Sequence, residues 1–360
     1  MLKKVFVILV LVIVVPGLQV SFAAESSGGG FAIRGPKSLG HLVDRKDVRE
    51  YKIKRLVAQL YDRPRMMNAQ RELATYGTEV TVYVLPLLKD KNNESVRVAA
   101  LRIIAQVDDP SAEDAVVKTL RDKNHRVRRE AARTLSVIGQ KQSSVEPLKR
   151  LLKDYHPNIR FNAVRALAKL APKEETDLFI AVLGDPDPRI RRYAVIALGK
   201  LKVVKAIPYL SQLVSDPDMD VRMGLVRTFA EINTQECLQP IAWLMGDPEV
   251  SVRLLAVEKI GDLKANGVDE ALVEASDSTD PRVVSRAIIA LGKRNSSQAL
   301  GIAKERLDDE HMLVKLAAIE VVGKTGTGSD KSLLKPLLQA ESSRVRKEAR
   351  KALAEAGSGA

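Results

Sequence analysis

The stretch "DPDPRIRRYAVIALGKL", residues 185–201, decides the fold, because close relatives of it return along most of the chain. Each copy has a polar turn, then a β-branched residue followed by a basic one, then an apolar helical pattern. The spacing between copies is 31 residues, with one step of 32. The basic slot holds, in order, Arg97, Arg128, Arg160, Arg191, Arg222, Arg253, Val284, Lys315 and Arg346. Self-similarity at this period is the sequence signature of a solenoid.

Each copy also predicts a pair of helices. In the quoted stretch Ile190, Ala194 and Leu198 form an i, i+4, i+8 stripe, which is typical of the buried face of an amphipathic helix. The small residue in the middle of the stripe allows a neighbouring helix to approach closely. A second apolar helical pattern, such as Ile207 and Leu210, precedes each copy. We therefore predict an all-α fold, an α-solenoid of about ten helical hairpins between residues 50 and 357.

The turn between the two helices predicts a helix start. Asp187 stands before Pro188, and an N-cap acid followed by proline at the first helical position is a preferred arrangement. Asp218, Asp280 and Asn124 occupy the equivalent position.

A second acid in the turn lies six residues before the basic slot, and it predicts an aspartate–arginine ladder that links successive repeats. At 278 and 284 both members are replaced, by Ser278 and Val284, which we interpret as the joint loss of one pair. The predicted ladder residues are Asp122, Arg128, Asp154, Arg160, Asp185, Arg191, Asp216, Arg222, Asp247 and Arg253. An exposed pair contributes about 0 to 1 kcal/mol and a fully buried aliphatic residue about 1.5 to 3 kcal/mol. We therefore expect the ladder to fix the register between successive repeats and the apolar stripe to supply the stability.

With "DPEVSVRLLAVEKIGDL" (247–263) and "DKNHRVRREAARTLSVIG" (122–139), the quoted stretch resembles the HEAT-like repeats, in the short bacterial form also found in bilin lyases. The resemblance covers residues 50 to 357 as ten units, of which the first is degenerate, with Arg65 and Met66 in the key slots. It implies a solenoid that binds other macromolecules, since only a few members of such families catalyse reactions.

The N-terminus predicts export. Lys3 and Lys4 precede an apolar run from 5 to 15, and small residues follow it at 23 and 24, the pattern of a secretory signal. The expected segments are a signal peptide at 1–23, a flexible leader at 24–49 and a tail at 358–360. A retained membrane anchor is the alternative to cleavage. Either way we expect a periplasmic or secreted protein with no further transmembrane span, and we expect it to be a monomer.

No catalytic or metal site is predicted, and no cofactor. "GFAIRGPKS" (30–38) departs from a phosphate-binding loop because Pro36 separates the second Gly from the Lys. His41, His125, His156 and His311 do not show metal-ligand spacing, although His125 and His156 are neighbours in adjacent repeats. The single cysteine, Cys237, is expected to be buried, and Trp243 to be partly exposed on a first helix.

The amount and distribution of charge predict the kind of partner. The chain has 58 Lys+Arg and 45 Asp+Glu, a net charge of +13, and only 4% aromatic residues. In HEAT-like arrays the second helices line the concave face, and the outward slots of repeats two to six are basic. The predicted partner-binding residues are Arg102, Arg129, Arg133, Arg165, Lys169, Arg192, Lys200 and Arg227. From the seventh repeat the slots become acidic or mixed, with Glu258, Asp262 and Glu320 beside Lys293 and Lys324.

We therefore expect an acidic protein or peptide as the partner, because rows of arginine suit carboxylates. A charged face that only keeps the solenoid soluble is the plain alternative. Nucleic-acid binding is a rival function, which the predicted export and the low aromatic content disfavour. A bilin-lyase-like enzyme is a third hypothesis, but no residue here is a candidate for its catalysis.

Overall fold

A computed structural model describes residues 11–15, 18–22, 45–170 and 175–354. Strands β1 (Leu11–Val15) and β2 (Leu18–Phe22) pair antiparallel, with Val15 opposite Leu18. They lie within the predicted signal segment, whose cleavage stays a prediction. The two long ranges are helical and contain twenty α-helices in ten pairs. The predicted all-α solenoid of about ten hairpins is confirmed.

From the second pair onward, the second helix of each pair is the longer one. The second helices are α2 (Arg63–Ala74), α4 (Glu94–Val107), α6 (His125–Ile138), α8 (Pro157–Leu170), α10 (Pro188–Lys200), α12 (Met219–Ile232), α14 (Val250–Ile260), α16 (Pro281–Lys293), α18 (Met312–Thr325) and α20 (Ser343–Ala354).

The first helices, apart from the one at the N-terminal end, are short. They are α1 (Arg45–Gln59), α3 (Thr81–Val84), α5 (Glu113–Thr119), α7 (Val145–Leu151), α9 (Asp177–Ala181), α11 (Ile207–Ser211), α13 (Leu238–Leu244), α15 (Val268–Ala275), α17 (Ala299–Glu305) and α19 (Gly328–Ser332). Short 3-10 turns extend several of them, at Gly77–Val80, Leu85–Lys89, Pro110–Ala112, Gln142–Ser144, Val204–Ala206, Gln235–Cys237 and Pro336–Gln339.

The second helices begin where the turn chemistry predicts. The Asp187 carboxylate accepts the N–H of Arg189 at 2.9 Å, and the Asp218 carboxylate accepts that of Val221 at 3.1 Å. Asp280 and Asn124 cap α16 and α6 in the same way. These side chains satisfy backbone N–H groups that have no partner within the helix. The four N-cap predictions are confirmed.

The core is the predicted apolar stripe, repeated from hairpin to hairpin. Ile190, Ala194 and Leu198 are fully buried, as are their counterparts in the other central repeats. Successive second helices pack against one another along the array, whereas the first helices of neighbouring repeats touch at few points. The repeats are thus in closest contact on the side of the second helices.

Glycines allow this close approach near the end of several second helices. A Cβ added at Gly323 would lie 2.5 Å from the Cβ of Ala352, and one at Gly292 would lie 2.7 Å from a methyl group of Val321. At Gly199 it would lie 2.9 Å from the Cα of Thr228. Any larger side chain at these positions would push the next helix away.

The ends of the solenoid differ slightly from the prediction. Helix α1 begins at Arg45, so the last residues of the predicted leader, 45–49, are helical and Arg49 pairs with Glu79 at 2.8 Å. Leu73 of the degenerate first repeat is fully buried, as its stripe position predicts. Helix α20 ends at Ala354, and the tail, like residues 24–44, lies outside the described residues.

The two single residues singled out in the sequence lie where their repeat positions suggest. Cys237 is fully buried, with its Sγ 3.6 Å from Thr234 Oγ1. Trp243 is 56% exposed on α13. Both predictions of exposure are confirmed.

Candidate partner-binding face

Each ladder arginine is held by two successive turns. Arg191 donates from Nε and Nη2 to the two carboxylate oxygens of Asp216, both at 2.7 Å, and from Nη1 to the backbone carbonyl of Asp185 at 2.9 Å. Arg222 binds Asp247 and the carbonyl of Asp216 in the same way. The bidentate side-chain pair therefore joins one repeat to the next, 25 residues further along, and the carbonyl bond fixes the arginine to its own turn.

The same arrangement recurs along the first half of the array. Arg128 contacts Asp154 at 2.8 Å and Arg160 contacts Asp185 at 2.7 Å. A further rung, beyond those predicted from the sequence, joins Arg97 to Asp122 at 2.9 Å. The pKa of Asp154 is lowered: burial alone would raise it, but hydrogen bonds from Arg128 and the His156 N–H outweigh burial.

The ladder changes after Arg253, and the sequence interpretation of that change is wrong. Arg253 would meet position 278, but Ser278 has no carboxylate and the arginine binds Asp280 instead, at 2.8 Å. Position 284 lies 25 residues before Asp309, which is the spacing of a rung, so it belongs to the next rung of the ladder. Ser278 and Val284 therefore belong to two different side-chain pairs. Asp280 receives hydrogen bonds from Arg282 and Arg253, which hold its pKa well below the ordinary range despite its burial.

The eight predicted binding residues, here called the basic face, lie on α4, α6, α8, α10 and α12. They are Arg102, Arg129, Arg133, Arg165, Lys169, Arg192, Lys200 and Arg227. Each is exposed or half-buried. The basic face therefore lies on the second-helix side of the array, and its position on the concave side stays a prediction.

Half of the basic face is occupied by the protein's own acceptors. Glu130, which is almost completely buried, lies 2.5 Å from Arg133 and 3.5 Å from Arg102. Arg192 pairs with Asp220 at 2.8 Å, and Lys169 donates to the carbonyl of Val137. These four cations are partly neutralised or tethered.

The other half is available. Within the described residues no ion pair is formed by Arg129, Arg165, Lys200 or Arg227. The Arg165 guanidinium lies 5.9 Å from the ring centroid of Phe161. Phe161 in turn meets Tyr193 edge to face at 5.4 Å. The centre of the basic face thus combines unpaired cations with a half-buried aromatic pair.

A cavity of about 380 Å³ opens at the N-terminal end of the basic face, between α2, α4 and α6. It is lined by Met66, Gln70, Glu94, Ser95, Val98, Arg102, Arg126 and Arg129. Three guanidinium groups and one carboxylate therefore meet around a partly apolar floor.

The two neighbouring histidines stack beside this region. The rings of His125 and His156 are 4.3 Å apart between centroids. Partial desolvation and the charges of His156, Arg126, Arg128 and Arg129 lower the pKa of His125. A neutral ring is thus favoured there. In the residues that the structure describes, no cluster of three or more His, Cys, Asp or Glu side chains is placed to hold a metal ion.

Two buried acids were not recognised from the sequence. Glu130 lies 2.5 Å from Arg133 and 3.5 Å from Arg102, and Glu113, fully buried, accepts the N–H groups of Gln140 and Lys141 and the hydroxyl of Ser144. Each acts across a repeat boundary. The available signal was an acid at a helix position that holds a small residue in some other repeats, such as Ala99 in the preceding repeat for Glu130.

Comparison with known proteins establishes the class. The model for HEAT repeats matches residues 81–154, 145–222, 210–287 and 270–354. The chain belongs to the HEAT-repeat family. No curated protein matches the sequence.

Among solved structures, the chain is similar to the karyopherin Kap121p, with a TM-score of 0.63 at 17% identity over 89% of this chain and 42% of that one. Kap121p bound to the extreme C-terminus of the protein phosphatase Cdc14p gives 0.65 at 15% identity, covering 89% and 43%. An engineered protein is 21% identical, with a TM-score of 0.48, over 86% of this chain and 99% of its own. The chain thus spans less than half of Kap121p, and the likeness to Kap121p shows a shared fold.

The fold is a HEAT-repeat solenoid, an architecture typical of protein-binding scaffolds and usually without catalytic activity. No helix in the described parts of the chain is both long and apolar enough to cross a membrane.

Proposed function

We propose that this protein is an exported scaffold that binds an acidic segment of a partner protein on its basic face. The extended inner surface of a solenoid suits a long, shallow contact with a polypeptide. Kap121p, of similar fold, was solved bound to the C-terminal end of another protein.

The observation that carries the proposal is the contrast between two sets of cations. The ladder arginines each have a carboxylate of the protein itself at 2.6 to 2.9 Å. Arg165, Lys200 and Arg227, on three consecutive second helices, have no such partner within the described residues. A row of unpaired cations on the inner surface gains most from acids supplied by another molecule.

The chemistry around the row favours protein over nucleic acid. Arginine binds carboxylates bidentately through its planar guanidinium group. Non-specific single-strand binding needs aromatic platforms for successive bases, whereas Phe161 is already covered by Tyr193, Arg165 and Arg189. The second-helix surface is therefore better suited to an acidic polypeptide.

The first test is charge reversal with a matched control. The face variant is Arg165→Glu, Lys200→Glu, Arg227→Glu. The control is Lys118→Glu, Arg121→Glu, Lys153→Glu, three exposed residues on the first-helix side that change the net charge equally. Arg133 is left unchanged because a glutamate there would face the buried Glu130. Circular dichroism and the melting temperature check that both variants are folded.

Binding is measured with poly-L-glutamate by calorimetry and with an envelope extract by affinity capture, at low and high salt. We expect the wild type and the control to bind poly-L-glutamate, with affinity falling as salt rises, and the face variant to lose binding. A protein that the wild type captures from the extract must likewise not be captured by the face variant. Equal loss in both variants, or capture of nucleic acid alone, would reject the proposed surface.

Export needs its own measurement. Fractionation followed by mass spectrometry of the N-terminus should find a mature chain beginning near residue 24 outside the cytoplasm. An intact N-terminus in the cytoplasmic fraction would remove export from the proposal and leave the binding face to be judged separately.

A further inference from the structure

The cavity between α2, α4 and α6 concentrates positive charge more than the rest of the basic face. Arg102, Arg126 and Arg129 line it, and Glu94 is the only acid among its lining residues. The local balance is thus two positive charges. Glu130, which contacts Arg102 from outside the cavity, is offset by Arg133 at 2.5 Å.

The three guanidinium groups are weakly engaged. Arg126 lies 3.9 Å from Glu94, whose carboxylate instead accepts a hydrogen bond from Asn124 Nδ2 at 2.5 Å. Arg102 lies 3.5 Å from Glu130, beyond the usual length of a charge-assisted hydrogen bond. Arg129 forms no ion pair in the described part of the chain. All three are free to turn toward an anion without breaking a short contact.

The remaining lining residues fit a small oxyanion on a carbon stem. The Ser95 hydroxyl and the Gln70 amide are neutral hydrogen-bond donors, and neither has a hydrogen bond to other described residues. Met66 and Val98 supply the apolar floor on which aliphatic carbons would lie. A monoanionic carboxylate would leave one of the two charges unmatched, whereas a phosphate monoester carries close to two negative charges at neutral pH.

We propose that this cavity binds a phosphate monoester carried on a side chain of the partner protein. The inference rests on the proposed function, since the cavity lies at the N-terminal end of the same face. The phosphate group of the partner would be held by three arginines, in addition to the longer electrostatic contact along the basic face. Such clusters bind phosphorylated side chains through several charge-assisted hydrogen bonds.

The cavity variant changes residues that the face variant of the function test leaves unchanged. The cavity variant is Arg126→Gln, Arg129→Gln, and the charge-matched control is Lys118→Gln, Arg121→Gln. The probes are inorganic phosphate, acetate, and a short peptide with one phosphoserine beside the same peptide with aspartate in its place. Calorimetry gives the affinities, and NMR shifts of the Ser95 and Val98 amides locate the site.

We expect phosphate to bind and acetate not to, and the phosphopeptide to bind about tenfold or more tightly than the aspartate peptide. The cavity variant should lose at least about tenfold for both phosphate probes, and the control should not change. A phosphopeptide that binds no tighter than inorganic phosphate would overturn the assignment to a partner's side chain and leave a site for a free phosphate ester. Absent phosphate binding, or binding unchanged in the cavity variant, would overturn the inference even if poly-L-glutamate still bound at Arg165, Lys200 and Arg227.

Discussion

At the scale of single residues, burial separates the ion pairs that matter for stability from those that do not. The side chains of Arg222 and Asp247 are 7% and 1% exposed, whereas those of Arg286 and Glu258 are 46% and 49% exposed. Asp247→Ala should lower the free energy of unfolding by about 3 to 5 kcal/mol, because it leaves a guanidinium buried without its counter-ion. Glu258→Ala should cost about 1 kcal/mol or less. Urea denaturation of the two variants checks this, and similar losses would show that the ladder contributes no more than surface pairs.

The pH dependence of stability is also decided by individual carboxylates. The hydrogen bonds from Arg282 and Arg253 lower the pKa of Asp280 in the folded state. Since the pKa is lower folded than unfolded, the stabilisation is complete above the unfolded value of about 3.9 and is lost as the pH falls toward the folded value. Asp280→Asn keeps an N-cap acceptor but removes the charge. The variant should therefore lose less stability than the wild type between neutral pH and pH of about 3, as measured by urea denaturation. An unchanged slope would contradict the assignment.

At the scale of the helices, close packing depends on the absence of a side chain at the end of a second helix. A Cβ at Gly323 would lie 2.5 Å from the Cβ of Ala352 and 3.0 Å from its Cα, so backbone must move. Gly323→Ala should destabilise by about 1 to 3 kcal/mol. Gly301, within α17, has no atom within 4 Å of an added Cβ. Gly301→Ala should stabilise by about 0.5 to 1 kcal/mol, because alanine favours the helix. The melting temperatures of the two variants check this, and a shift in the same direction for both would contradict the packing argument.

Helix boundaries and buried stripes were predictable because both are local. Asp187 caps its helix through an N–H two residues away, and Ile190, Ala194 and Leu198 share a face whatever surrounds them. The pairing of Arg102 with Glu130 was not predictable in this way, since the two residues are 28 positions apart and meet only through the packing of α4 on α6. Which cations of the basic face are paired, and which are not, therefore depends on how each repeat packs against the next.

At the scale of the whole molecule, the period of 31 residues predicts the class of fold but the links between repeats are unequal. Five bidentate or near-bidentate rungs join the repeats from Arg97 to Asp247, all with side chains at most 20% exposed. After Arg253 the interfaces rely on apolar packing and more exposed pairs, such as Arg306 with Asp277 at 3.3 Å. In a solenoid, stability is close to a sum of repeat and nearest-neighbour terms, so unequal links mean unequal local stability.

This inequality predicts where the array opens first. Native-state hydrogen exchange should give smaller opening free energies for amides of α18 and α20 than for those of α8, α10 and α12, because sub-global opening follows the weakest interfaces. Fraying from the end alone would also loosen α4 near the other terminus, which the rung between Arg97 and Asp122 should prevent because it ties the second hairpin to the third. Asp122→Asn serves as the control, since it should bring protection at the N-terminal end down toward that of α20. Symmetric protection at the two ends of the wild type would mean that apolar packing alone holds the repeats together, and that the ladder sets register without adding cooperativity.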